Sequence, residues 1–281
     1  MRGAEYQMEI KLTEVKQSFL EANLIELQFI AIFGGMILLF LIEGFVPRRQ
    51  SETDQTNRWV SNIVLAIFNH FLILIYTAAL FKLLTLIQPE SSLLRHFKLS
   101  DIPVFIIVLL LMDFLTYWIH RSFHKVPILW RIHAVHHSDT EIDVTTSHRH
   151  HPFEPLISSL LLTPIVFTLG APLVVMAAYS FVLTISSLVS HSNLKIPHKV
   201  DNFLRFFVIT PDFHRIHHSS DKPFTNSNYG GILPWFDYLF RTYKRKPHSD
   251  IPEMEVGLEV MRETSDNRLD KIFLTPFIYK P

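Results

Sequence analysis

The chain has 281 residues, enough for one large core or two small ones. Nearly half of them (48%) are hydrophobic, and 26 lysines and arginines balance 26 acidic residues, which excludes the electrostatic footprint of a nucleic-acid binder. With 16 histidines and no cysteine, disulfides, thiolate ligands and iron–sulfur clusters are excluded, and any bound metal must be held by nitrogen and oxygen.

Residues 1–23 read as an amphipathic segment of mixed charge with no cleavable-signal pattern. Four apolar regions follow. The runs 24–46, 59–87 and 102–119 are long enough to cross a hydrocarbon core of ~30 Å. The fourth, 153–190, is interrupted by "LGAPL" and reads as a hairpin of two short or tilted helices. So many apolar runs in so short a chain predict an all-α integral membrane bundle of about four spans or half-spans. Arg48, Arg49 and Arg58 in the first loop, against Arg95 and Lys98 in the second, predict that the first loop faces the cytoplasm. The same bias, with Arg121, Lys125, Arg131 and Arg149, puts the histidine-dense blocks 120–152 and 191–248 on that side as one helical metal domain. No Gly/Ser linker divides residues 24–281, so they read as a single domain.

The histidines recur in spaced groups. His120 and His124 are four apart at the end of the third run and share a helical face, which extends back to Asp113. An aspartate in an apolar span needs a partner or a function, so Asp113 is expected either to accept a histidine ring N–H or to tie two helices together. "HAVHH" supplies His133, His136 and His137, and "HRIHH" supplies His214, His217 and His218. On a helix, adjacent histidines diverge by ~100°, so one ion can hardly collect a whole triplet, whereas two nearby ions can share it. The doubled pattern therefore predicts a dinuclear site. His191 and His151 are expected to join as ligands. Nothing in the spacing requires His148 or His150, His96, His198 and His248 read as loop residues, and His70 is expected to bond to a neighbouring helix. Arg149→Ala is expected to cost far less activity than His136→Ala or His217→Ala, since no ligand role requires it. An all-imidazole shell suits zinc, copper, iron or nickel, and the spacing does not choose among them.

At these residues the sequence resembles the fatty acid hydroxylase / sterol desaturase superfamily of membrane di-iron oxygenases. The matching text is "DFLTYWIHRSFHKVPILWRIHAVHHSDTEIDVTTSHRHHPFE", "SHSNL" and "TPDFHRIHHSSDKPFTNSNYGGILPWFDYLFRTY". Bacterial-type members close the third box with a series matched here by Asn228, Tyr229, Gly230, Trp235, Asp237 and Tyr243, with Arg241 where a glycine is usual. The resemblance assigns metal ligation to His120, His124, His133, His136, His137, His151, His191, His214, His217 and His218, and makes Asn228 and Asp237 hydrogen-bond partners behind them. Fatty-acid hydroxylases of the family carry a further histidine where Ser187 stands, so that ligand is absent or His151 replaces it.

The resemblance implies two iron ions, O2 as cosubstrate, and hydroxylation or desaturation of a C–H bond in a membrane lipid. It implies a multi-pass protein, of the inner membrane if bacterial. No flavin, haem or nicotinamide motif is evident, so electrons are expected from a separate reductase or electron-transfer protein. The imidazoles alone also permit a membrane zinc hydrolase acting on a lipid ester or amide. A metal transporter would place its ligands near mid-bilayer on broken helices, whereas these boxes lie at or beyond the ends of the apolar runs.

Overall fold

The computed structural model describes residues 23, 26–51, 54–87, 93–97 and 99–280, with only the backbone of Arg95 and His96; residues 1–22 and Lys98 lie outside the described residues. The architecture is helical, and among the described residues the only β pairing is two isolated bridges, Pro47 with Leu194 and Ser219 with Val256.

Four helices are long and apolar enough to cross a membrane: α1 (Glu26–Phe45, with a π-turn at Ile30–Gly34), α2 (Thr56–Ile87), α3 (Asp101–Lys125) and α6 (Leu173–His191). Only 11% of the most apolar stretch of α1 or α2 is buried inside the protein, so their leucines, isoleucines and phenylalanines face outward. Large outward apolar surfaces require lipid as the solvent, and the chain is a membrane protein.

The predicted hairpin is present. α5 (Phe153–Leu169) ends at Gly170, whose φ of 58° is the left-handed C-cap glycine supplies without strain, and Pro172 precedes α6. At 17 residues α5 is ~25 Å long, short of a full crossing. α5 packs on α2, and α6 on α3. Val104, Val108 and Met112, four apart on α3, meet Val175 and Tyr179, four apart on α6. In a bilayer such seams hold by close packing rather than by expulsion of water.

The ends of α1, α3 and α6 and the start of α2 and α5 lie on one side, and the polar elements cap them there. These are α4 (Pro127–His137), a 3₁₀ turn (Val144–His148), α7 (His198–Leu204), α8 (Pro211–His217), α9 (Lys222–Thr225), α10 (Trp235–Leu239) and α11 (Leu269–Ile278). One residue separates α3 from α4: Val126 leaves the helical region and Pro127 starts α4 at a position where its missing N–H costs nothing.

Buried ionic contacts lock the cap to the spans. Glu43 accepts the amides of Val144 and Asn193 at 3.0 and 2.6 Å, Arg48 grips Asp212 with two bonds of 2.9 and 3.0 Å, and Arg58 pairs with Asp139 and Asp143. Arg58 and Arg149, counted above towards orientation, are thus buried struts, and the Arg48 side chain is nearly covered by its pairing with Asp212. Their positions are fixed by packing, so they carry little weight as signals of sidedness.

Arg149, expected above to matter little for activity, has a structural role. Its guanidinium, 1% exposed, donates to the carbonyl of Val135 (3.1 Å), Asn62 Oδ1 (3.1 Å) and Ser138 Oγ (2.9 Å), joining α2 to the end of α4. Arg149→Ala would remove three buried hydrogen bonds and leave Asn62 Oδ1 unmet, while the Val135 carbonyl keeps the Ser138 hydroxyl, a loss on the order of 3–5 kcal/mol. Thermal unfolding in detergent is expected to show a Tm lowered by several degrees, and an unchanged Tm would refute this role.

Candidate metal centre

Each imidazole is placed by an element end or by a short helix. His120 and His124 occupy the last turns of α3, and His133, His136 and His137 lie along α4. His191 is the last residue of α6. His214 and His217 lie on α8, which Thr210 starts by accepting the amide of Phe213, and His218 follows at its end.

Two groups form. Ring nitrogens of His120, His124, His133, His137 and His217 lie within 4.8 Å of one another, as do those of His136, His191, His214 and His218. Adjacent histidines part company, His136 from His137 and His217 from His218, as the ~100° helical step requires. His151 joins neither group; its ring lies against Phe153, Phe273 and Phe277. The Ser187 position supplies no substitute nitrogen either. Its hydroxyl lines a cavity described below, and its carbonyl accepts His191 Nδ1 at 2.7 Å.

Hydrogen bonding fixes the tautomers. Nδ1 of His120 faces the carbonyl of Tyr229 at 2.8 Å, Nδ1 of His217 that of Ser227 at 2.6 Å, and Nδ1 of His133 faces Glu154 Oε1 at 2.8 Å. Carbonyls and carboxylates only accept, so each Nδ1 donates and Nε2 is the nitrogen left to face a metal. Yet Nε2 of His120 lies 3.1 Å from Nε2 of His133, and lone pair faces lone pair. The remaining Nε2 pairs are His137–His217 at 3.1 Å, His136–His191 at 3.1 Å, His191–His214 at 2.9 Å and His214–His218 at 3.2 Å. Buried lone pairs that converge repel unless a cation lies among them, and these separations suit neighbouring nitrogens each ~2.1 Å from one ion. His124, buried with neither nitrogen bonded, fits the same account. Burial and the surrounding imidazoles hold His136, His137, His214, His217 and His218 well below the usual histidine range, which keeps their lone pairs free at neutral pH.

Behind the imidazoles lies a loop, residues 227–233, fixed by two aspartates. Asp237 accepts the amides of Tyr229 (2.9 Å) and Gly230 (2.7 Å) and the hydroxyl of Thr242 (2.6 Å). Asp113 accepts the amides of Ile232 (2.9 Å) and Leu233 (3.0 Å). Of the two roles expected for Asp113, the observed one is a tie between elements, with backbone rather than a histidine ring as its partner. Asn228, at φ 55°, donates to the carbonyls of Phe213 and Lys244 and accepts the Lys244 amide. A Cβ on Gly230 would come within 2.7 Å of the Leu233 carbonyl, so only glycine fits there. Arg241 has φ 56°, which explains why a glycine suits that place.

Glu154 and His150 were not singled out by spacing. Glu154, at the start of α5, accepts His133 Nδ1 and lies 3.0 Å from His150 Nδ1, while the His150 ring stacks 4.4 Å from that of His136. The "HHPFE" text carries the signal, a carboxylate four residues after a histidine at a helix start. Glu154→Gln replaces a charged acceptor with a neutral amide and is expected to weaken metal affinity about 10–100-fold. Metal retention against a graded chelator checks this; wild-type retention would show that the bond does not orient His133.

Between α3, α5 and α6 the imidazoles border a cavity of about 180 Å³, lined also by Thr116, Ile119, Phe123, Ser158, Leu183 and Ser187. Lone pairs for two cations thus open onto a small, mostly apolar chamber within a membrane protein.

Residues 105–242 match the family model for fatty acid hydroxylase. The chain belongs to the fatty acid hydroxylase family. Within it, the chain is 31% identical over 181 residues to ornithine lipid hydroxylase of Rhizobium tropici, covering 63% of this chain and 54% of that one. It is 30% identical to alkylglycerol monooxygenase of Xenopus tropicalis over 51% of this chain and 29% of that one. To a very-long-chain aldehyde decarbonylase of Arabidopsis thaliana it is 27% identical, over 58% and 26%. The chain thus spans about half the length of the first of these relatives and under a third of the other two. No solved structure matches it.

Proposed function

We propose that this fatty acid hydroxylase family member is an O2-dependent di-iron oxidoreductase that hydroxylates or desaturates a C–H bond of a membrane lipid. The observation that carries the reading is the pair of converging imidazole groups bordering a chamber among apolar helices. His120, His124, His133, His137 and His217 would hold one ion and His136, His191, His214 and His218 the other. Iron bound there supplies the O2 chemistry that no side chain can perform.

The chain's own residues do the rest. The carbonyls of Ser227 and Tyr229 and the carboxylate of Glu154 orient rings and hold their Nδ1 protons. Ile119, Phe123 and Leu183 offer an apolar wall to a lipid segment and keep water from its target carbon. At about 180 Å³ the chamber suits a segment of a lipid rather than a whole one. The protein would cross the membrane several times, with the imidazoles on the cytoplasmic face that Arg121, Lys125 and Arg131 beside them still favour. Electrons would come from a separate electron-transfer protein.

Membership of this family counts against the zinc hydrolase that imidazoles alone would permit. The deciding experiment is metal analysis of protein purified without chelator, combined with O2 uptake on a lipid extract and a suitable reductant. Two irons per chain and lipid-dependent O2 uptake are expected. Stoichiometric zinc with O2-independent turnover would overturn the proposal.

A further inference from the structure

The arms of the α5–α6 hairpin pack on different neighbours, and a second cavity of about 380 Å³ opens beside the first. Gln28 of α1, Asn69, His70 and Thr77 of α2, His148 and Ser180 of α6 contribute its polar lining. His150 lines both cavities, so the two spaces adjoin at that imidazole.

Polar groups among spanning helices are costly unless they are partnered. Several are: Gln28 Nε2 donates to Ser180 Oγ at 3.3 Å, Asn69 Nδ2 to the His150 carbonyl at 2.8 Å, and Thr77 Oγ1 to the Ile73 carbonyl at 2.7 Å. Three are not. Asn69 Oδ1, His70 Nε2 and His148 Nε2 are buried without a hydrogen-bond partner. The bond to a neighbouring helix expected for His70 is not made at Nε2; the ring packs edge-on against Phe29, Phe33 and Phe71. Three unmet polar atoms around one cavity point to something that brings hydrogen bonds.

The lining restricts what that can be. It consists of amides, hydroxyls, imidazoles and apolar side chains, with no lysine, arginine, aspartate or glutamate among the lining residues. His150, the lining imidazole that Glu154 pushes toward its charged form, is already paired with that carboxylate at 3.0 Å, so a carboxylate or phosphate would find no free counter-charge, whereas an amide, ester, ether or hydroxyl finds donors and acceptors at no charge cost.

We propose that this second cavity binds the uncharged polar linkage of the lipid substrate while the metal-side chamber takes the carbon to be oxidised. The inference rests on the oxygenase reading. It makes the substrate a lipid with a neutral linkage close to the oxidised carbon, and it makes Asn69 and His70 specificity-determining residues. Because the two cavities share His150 in their walls, the oxidised position falls close to the linkage rather than at the far end of a chain.

The test measures lipid binding and oxidation separately. Metal-loaded protein in nanodiscs is titrated without O2 with 1-O-hexadecylglycerol, N-(2-hydroxyethyl)hexadecanamide and hexadecanoate. The two neutral lipids are expected to bind at least about ten-fold tighter than the fatty acid. Asn69→Leu should remove most of that preference at unchanged metal content. Thr77→Leu should do the same without touching the Asn69 contact to His150, which guards against a merely structural effect. Equal binding of all three lipids to the wild type, or a preference that both variants retain, overturns the proposal. O2 uptake with the bound neutral lipid is then read on the same samples. Its absence despite tight binding would count against the oxygenase reading and leave the binding site standing.

Discussion

Replacing either His136 or His217 by alanine is expected to lower bound metal from about two ions per chain to about one and to abolish lipid oxidation. The two residues belong to different groups: His136 Nε2 lies 3.1 Å from His191 Nε2, and His217 Nε2 lies 3.1 Å from His137 Nε2. Each substitution takes a lone pair from one group and leaves the other group's nitrogens in place, so the metal deficit should be partial while the activity deficit is complete. Both variants should still insert, because neither residue lies on a spanning helix. Metal analysis and lipid-dependent O2 uptake on the same preparations check this. Full activity in both variants would remove them from the site.

Asp237→Ala is expected to have the second largest effect, through backbone rather than through a ligand. Its carboxyl, which burial pushes up and three donors pull back down, holds the amides of Tyr229 and Gly230 and the Thr242 hydroxyl. The loop so fixed carries the carbonyls of Ser227 and Tyr229, which orient His217 and His120. Both of those imidazoles lie in the five-histidine group. Loss of three buried, charge-assisted bonds costs on the order of 3–5 kcal/mol. The remaining metal should therefore be held by the four-histidine group, with oxidation lost. Asp237→Asn keeps one acceptor oxygen and is expected to recover part of both stability and metal. An alanine variant that loses stability but keeps two ions would show that the loop does not orient the rings.

Much of this was legible in the sequence because it depends on local periodicity. Span lengths follow from apolar runs, the hairpin from Gly170 and Pro172, and the parting of His136 from His137 from the angular step of a helix. What was not legible depends on contacts across the chain. Arg58 and Arg149 looked like loop charges because nothing local announces that Asp139, Asp143 and Asn62 will surround them. His151 and His150 differ by one residue, and the 3₁₀ turn at Val144–His148 decides which of them faces the imidazoles. Glu154 sits where an acidic residue at a helix start is ordinary, so its grip on His133 appears only once α4 lies beside α5.

The order in which the imidazoles occur along the chain has a consequence for biogenesis. The five-histidine group is incomplete until His217 has been synthesised, and the four-histidine group until His218. The whole hairpin of α5 and α6 separates these from the first contributors on α3 and α4. A nascent chain that has threaded only its first three apolar helices into the bilayer therefore holds at most fragments of either coordination set. On the proposed di-iron reading, metallation would be the closing event of assembly, and ion content would report whether a molecule has finished folding.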